Sequence, residues 1–232
     1  MAITVGNSVN SGALAGGTSD TQSFNNNKTD VFALVAIRDT RTAATATATY
    51  GGAAMTADKT LLYTDGDTTA DLRVYIFRKS SAATGANDGI ITLNVAADFW
   101  TVWWICADGL SATGQPETTA SASADAAAAS DPSTSMTTTT PDCLLLDVVY
   151  NKSGTDMSAG SGQTIIAQVG TNGGGDRALA AYKIVSAAGS QTSTFTETAD
   201  DDWAMASAAY KIAAAVTAVK DIISMGFIPF PR

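Results

Sequence analysis

The sequence predicts an all-β, antiparallel sandwich, and three observations carry that expectation. Apolar residues recur with period two far more often than with the helical period, as in "LRVYIFRK", where Leu72, Val74 and Ile76 alternate with Arg73, Tyr75 and Phe77. The alternating pieces are rich in Val, Ile, Thr and aromatic residues, which suit a pleated surface. Polar and glycine-rich pieces such as "TDGD", "ATGANDG", "NKSGTDMSAGSG" and "TNGGGD" separate them as turns. A length of 232 residues is ordinary for one large β-sandwich. A single sandwich is therefore expected over residues 20–212, after an N-terminal segment 1–19 and before a C-terminal arm 213–232.

The elements follow in order. "DVFALVAIR" (30–38) is apolar throughout and reads as a strand. In "TATATYGGAAMT" the threonines 45, 47 and 49 fall on one face of a strand and Ala46, Ala48 and Tyr50 on the other. Gly51 and Gly52 then form a two-residue hairpin turn, since glycine alone takes positive φ there without strain. "LRVYIFRK" has one core face and one that is partly wet. "GIITLNVAA" (89–97) and "FWTVWWICA" (99–107) continue the series. In the latter Trp100, Val102 and Trp104 share one face and Phe99, Trp103 and Ile105 the other, so both faces need cover. A loop or the C-terminal segment supplies it, or Trp103 and its neighbours form a platform for a sugar ring or a subunit contact.

The Ala/Ser/Thr-rich stretch 111–132 reads as a long loop. "STSMTTTT" (133–140) follows as a polar edge strand, in a hairpin with the next strand, "CLLLDVVY" (143–150). "QTIIAQVG" (163–170), "ALAAYKIVS" (178–186), "TSTFTET" (192–198) and "DWAMASAAYKI" (202–212) complete the strands. Beyond them Phe227, Ile228 and Phe230, braced by Pro229 and Pro231, either fold back on the sandwich or dock on another subunit.

Composition excludes several functions. A net charge of −9 and a pI near 4.3 are wrong for binding nucleic acid through its phosphates. No apolar run is long enough to cross a membrane, and the first residues do not read as a secretory leader. Without a single histidine, every Ser-His-Asp or Cys-His arrangement is ruled out, as is every histidine-bearing metal site. Cys106 and Cys143 each lie in an apolar run and read as buried thiols in preference to a disulfide.

The succession "ALVAIRD", "TATATYGGAAMT", "LRVYIFRK", "GIITLNVAADFWTVWWICADGL", a Ser/Thr-rich stretch, "CLLLDVVY" and "RALAAYKIVSAAGSQTSTFTETADDDWAMASAAYKI" resembles jelly-roll β-sandwich proteins of tailed-bacteriophage virions. The resemblance lies in a strand ending in Tyr-Gly-Gly, a later Leu-x-Val-x-Ile strand and a closing strand that starts at a tryptophan. It implies a jelly-roll-like sandwich with a short C-terminal extension, in a non-enzymatic capsid decoration or cement protein assembled in the host cytoplasm. Its implied partners are the major capsid protein or other virion proteins, and further copies of itself, as in a trimer. No cofactor, nucleic acid or membrane is implied. A tail or fibre component and a carbohydrate-binding module are the alternatives.

Two acidic groups are metal candidates. Asp65, Asp67 and Asp71 in "DGDTTAD" offer hard oxygen ligands for calcium, but the spacing fails the EF-hand order, and a solvated hairpin loop is the plainer reading. "DDD" at 200–202 reads as a solvated strand start in the same way.

Overall fold

The computed structural model describes residues 2–40, 44–64, 71–125, 130–170, 175–198 and 201–214. Every extended or helical element among the described residues is a β-strand. The first half holds β1 (Thr4–Asn10), β2 (Ser19–Asn26), β3 (Asp30–Asp39), β4 (Ala46–Tyr50), β5 (Ala53–Ala54), β6 (Thr56–Thr64), β7 (Asp71–Lys79), β8 (Gly85–Leu93) and β9 (Phe99–Asp108). The second holds β10 (Thr118–Ala124), β11 (Ser133–Thr138), β12 (Cys143–Asn151), β13 (Ser158–Ala159), β14 (Thr164–Gly170), β15 (Arg177–Val185), β16 (Gly189–Thr196) and β17 (Trp203–Lys211).

The pairing is antiparallel throughout, and the sheet orders repeat. The first half forms a five-stranded sheet β1-β9-β3-β7-β6 and a four-stranded sheet β2-β8-β4-β5. The second forms β10-β17-β12-β15-β14 and β11-β16-β13. Putting β10, β11, β12, β13, β14, β15, β16 and β17 in the places of β1, β2, β3, β4, β6, β7, β8 and β9 turns one set into the other. The described residues thus form two β-sandwiches in tandem, where a single jelly-roll-like one is expected from the sequence.

Side-chain alternation explains how they stack. Phe32, Leu34, Leu72, Val74, Ile76 and Trp103 leave one face of the first five-stranded sheet and meet Leu144, Leu146, Val148, Tyr150 and Tyr210 of the second in one shared core. On the opposite face of the first sheet, Val35, Ile37, Trp100, Val102 and Trp104 pack on Phe24, Ala48, Tyr50 and Ile91 of the four-stranded sheet. The second sheet buries Val149, Leu179 and Met205 with Phe195, and Cys143 and Leu145 with Met136, under the three-stranded sheet. Four layers result, with the two large sheets inside. Strands buried on both faces have no polar side to alternate with, which is why β3, β9 and β12 read as continuous apolar runs.

Several expectations change accordingly. The 1–19 segment is not outside the fold: β1 lies within it and pairs with the end of β9, and the boundary at residue 20 falls inside β2. The 111–132 stretch holds β10, whose seven residues pair with β17 from Thr118 opposite Ala209 to Ala124 opposite Trp203. Its short side chains fit an edge strand, although they give no apolar signal. β11 forms where "STSMTTTT" predicts a strand, but it pairs with β16 in the outer sheet and makes no hairpin with β12. The outward face of β7 is also dry, because Tyr75 and Phe77 are covered by the four-stranded sheet. The Gly51-Gly52 turn is as expected: φ is 55° and 75°, the left-handed region a two-residue hairpin needs.

Candidate functional site

Two polar groupings stand out against this apolar stack. The first bridges the two halves. Asp30 at the start of β3 accepts from Arg78 Nε at 3.0 Å and Nη2 at 2.7 Å, and Nη2 also donates to the Ser111 carbonyl at 3.1 Å. The Arg78 guanidinium lies 5.7 Å from the Tyr210 ring centroid, within cation–π range. Tyr210, on β17, donates its hydroxyl to Asp58 Oδ2 on β6 at 2.8 Å. Gln115 holds the backbone of Lys211 through both amide atoms, at 2.6 and 3.0 Å. Between these groups lies a cavity of about 200 Å³ lined by Thr56, Asp58, Arg78, Ser80 and Gln115.

Burial dominates the electrostatics there. It raises the Asp30 carboxyl despite the charge of Arg78, and raises Asp58 despite the bond from Tyr210. The Tyr210 phenol is held well above its usual value, by burial first and then by the Asp58 charge. The cavity could hold a small polar group between a carboxylate and a guanidinium.

The second grouping lies inside the second sandwich. Asp147, in the middle of β12, is completely buried. Its Oδ1 accepts from Ser207 Oγ of β17 at 2.5 Å. Its Oδ2 accepts from Ser193 Oγ of β16 at 2.9 Å and from Gln163 Nε2, just before β14, at 3.1 Å. Thr134 of β11 lies 2.6 Å from Ser207 Oγ. Burial raises the carboxyl to about 6, and the bonds from Ser207, Ser193 and Gln163 restrain the rise.

The residues singled out in the sequence are not brought together. Trp103 is fully buried in the shared core, so it is neither platform nor subunit contact. Trp100 and Trp104 are equally buried and Trp203 is 4% exposed, which removes tryptophan as a sugar-stacking surface. The cover over the β9 face is the four-stranded sheet, where a loop or the C-terminal segment is expected. Asp65 and Asp67 lie outside the described residues. Asp71 is buried at the start of β7, 3.9 Å from Arg73 Nη2, so a cation already stands beside it. No acidic or cysteine cluster suited to a metal ion occurs among the described residues.

Of the "DDD" stretch, Asp202 is buried and pairs with Lys152 Nζ at 2.6 Å, in place of the solvated start expected. Phe227, Ile228 and Phe230 lie outside the described residues. Cys106 and Cys143 are free and buried, as their apolar surroundings predict. Sequence reasoning missed Asp147, although one signal was present: a single acid at the centre of "CLLLDVVY".

Comparison with known proteins finds no matching family model, no similar curated protein and no similar solved structure.

Proposed function

We propose that the protein is a non-enzymatic structural component of a tailed-bacteriophage virion, acting as a capsid decoration or cement protein. The observation that carries the reading is the back-to-back stack of two β-sandwiches with both large sheets buried on both faces. Most large side chains are committed to the four-layer core, which makes a stiff block with polar edges, suited to assembly and poorly suited to enclosing a substrate. The strand layout that resembles virion sandwiches and the absence of histidine support the same reading. Its partners are the major capsid protein or other virion proteins and further copies of the chain. A tail or fibre position is the alternative within the same class.

The test is imaging of purified particles with and without this protein. A surface density on the shell that disappears when the protein is absent is the expected result. A shell unchanged by its removal, with the protein found elsewhere in the particle or not at all, overturns the decoration role.

A further inference from the structure

The Asp147 cluster has no counterpart among the described residues of the first sandwich. Counted back four residues from the ends of β12 and β3, Asp147 takes the place that Val35 takes in the first copy. Asp147 pairs with Ser207 across the sheet, and Val35 pairs with Val102. Gly85 and Gly189 both begin their strands with positive φ, 101° and 128°, and four residues further on Gly89 stands where Ser193 does. The fold is therefore satisfied by Val, Val and Gly at places that carry Asp, Ser and Ser in the second copy. Burying a carboxylate and hydroxyls in a core costs stability relative to apolar packing, so the substitution calls for a use.

Asp147 brings a hydroxyl and a carboxamide from different elements onto one carboxylate. Gln163 presents a carboxamide whose nitrogen rests on Asp147 Oδ2 at 3.1 Å and whose oxygen accepts from the Thr194 backbone N–H at 3.2 Å. Ser193 Oγ donates to the same Asp147 Oδ2 at 2.9 Å and is only 1% exposed. One carboxylate oxygen thus touches both the Ser193 hydroxyl and the Gln163 amide nitrogen, while a backbone N–H donates to the carbonyl oxygen of the same amide. Gly160 secures the approach: a Cβ there would lie 2.4 Å from Thr194 Oγ1 and 3.1 Å from Gln163 Oε1.

From this geometry we infer that Ser193 and Gln163 are the partners of an autocatalytic intramolecular ester bond, formed with Asp147 as the proton carrier. Ser193 Oγ attacks Gln163 Cδ, and its proton passes to Asp147 Oδ2. The negative charge on Oε1 is held by the Thr194 N–H. The Cδ–Nε2 bond then breaks as Asp147 returns the proton to nitrogen, and ammonia leaves. The products are a Ser193–Gln163 ester, ammonia and Asp147 in its starting state, with no external reactant. Fixed proximity replaces a bimolecular collision, and a slow single turnover suffices. With a carboxyl that ionises near pH 6, Asp147 is a base at neutral pH. The bond closes a loop of about 30 residues and ties β16 to the start of β14, as a disulfide would in an oxidising compartment.

Intact-mass measurement of the full chain tests this directly. The expected result is a species lighter than the sequence mass by about 17 Da, one ammonia. Trypsin should then leave the peptides 153–177 and 184–211 joined, and hydroxylamine, which cleaves esters, should separate them. Ser193→Ala and Asp147→Asn should both restore the sequence mass. A wild-type chain at its full sequence mass overturns the inference whatever the variants do. So does a loss of ammonia confined to Asn172-Gly173 within one peptide, or a link that hydroxylamine does not cleave.

Discussion

Arg38 Nη1 on β3 donates to Asp176 Oδ2, just before β15, at 2.6 Å, so an ion pair joins the first sandwich to the second at the rim of their shared core. The carboxylate side chain is only 5% exposed and the arginine 30%. Arg38→Met would strand a buried charge, and the loss of stability should be about 1–3 kcal/mol, less than for a fully buried pair because the arginine is partly solvated. Adding Asp176→Asn should recover part of it. Urea unfolding of the two variants checks this; an unchanged midpoint in the single variant would count against the lock.

The pH dependence of stability should carry the signature of Asp147. Its folded pKa, about 6, lies above the unfolded value near 3.8, so the folded state holds the proton more tightly. Stability from this group is fully present below the unfolded value and falls as pH rises through about 4 to 6, by about 3 kcal/mol in all. Ser207, Ser193 and Gln163 face it, and Lys183 is the charged neighbour that favours ionisation. Unfolding across that window should show a downward slope in the wild type that is missing in Asp147→Asn. The slope is the readout, since loss of a crosslink shifts all pH values together.

How far the fold was legible follows from which strands are central. β3, β7, β9, β12, β15 and β17 are buried inner strands, and their apolar runs stand out in the sequence. β1, β6 and β10 are three of the four edges of the large sheets and β2 an edge of an outer one, and their half-exposed polar side chains leave no such trace. The fourth edge, β14, instead keeps the apolar Ile165 and Ile166. The duplication did leave one: "SSAATG" at 80–85 and "SAAG" at 186–189 each lead to a glycine of positive φ that begins the next strand. The candidate site was less legible, because Ser193, Ser207 and Gln163 are distant in sequence and only Asp147 breaks a pattern. That both faces of the Trp103 strand need cover was legible, but not that a second sandwich supplies it on the Trp103 side.

Both cysteines should be inert in the folded protein. Burial raises the Cys106 thiol, and burial together with the hydrogen bond to Glu117 and its charge pushes Cys143 up to about 12. The partner responds oppositely: burial raises Glu117, but bonds from Thr139 and Cys143 outweigh it and bring it down to about 2. The thiolate is the reactive form, so a thiol-reactive dye should label neither residue at neutral pH in the native state and both in denaturant. Rapid native labelling would show that these strands open readily.

Two glycines separate backbone strain from packing. Gly52 has φ of 75° and open space around a built Cβ, so Gly52→Asn should be tolerated and Gly52→Val should lose about 1–2 kcal/mol. Gly89 has no such φ, but a Cβ would sit 2.6 Å from Trp104 Cζ2, a ring fixed in the core. Gly89→Ala should therefore lose about 1–3 kcal/mol by overpacking. Thermal melts of the three variants distinguish the cases; equal melting of Gly52→Val and Gly52→Asn would deny the turn its role.

The shared core makes a stronger demand on the two halves. Each has a complete strand order, and by topology alone each should fold by itself. Yet one whole face of each large sheet is finished only by the other: Phe32, Leu34, Leu72, Val74, Ile76 and Trp103 on one side, Leu144, Leu146, Val148, Tyr150 and Tyr210 on the other. Separation would expose a contiguous apolar patch well beyond the several hundred Å² that a soluble monomer tolerates. It would also leave Asp176 without Arg38 and Tyr210 without Asp58. Residues 1–110 and 111–232 expressed apart should each aggregate or self-associate through that face, and expressed together they should copurify as a 1:1 complex that unfolds in one transition. If either fragment is a stable monomer with the near-ultraviolet dichroism of packed tryptophan and tyrosine, the four layers are two independent domains and the interface between them contributes little to folding.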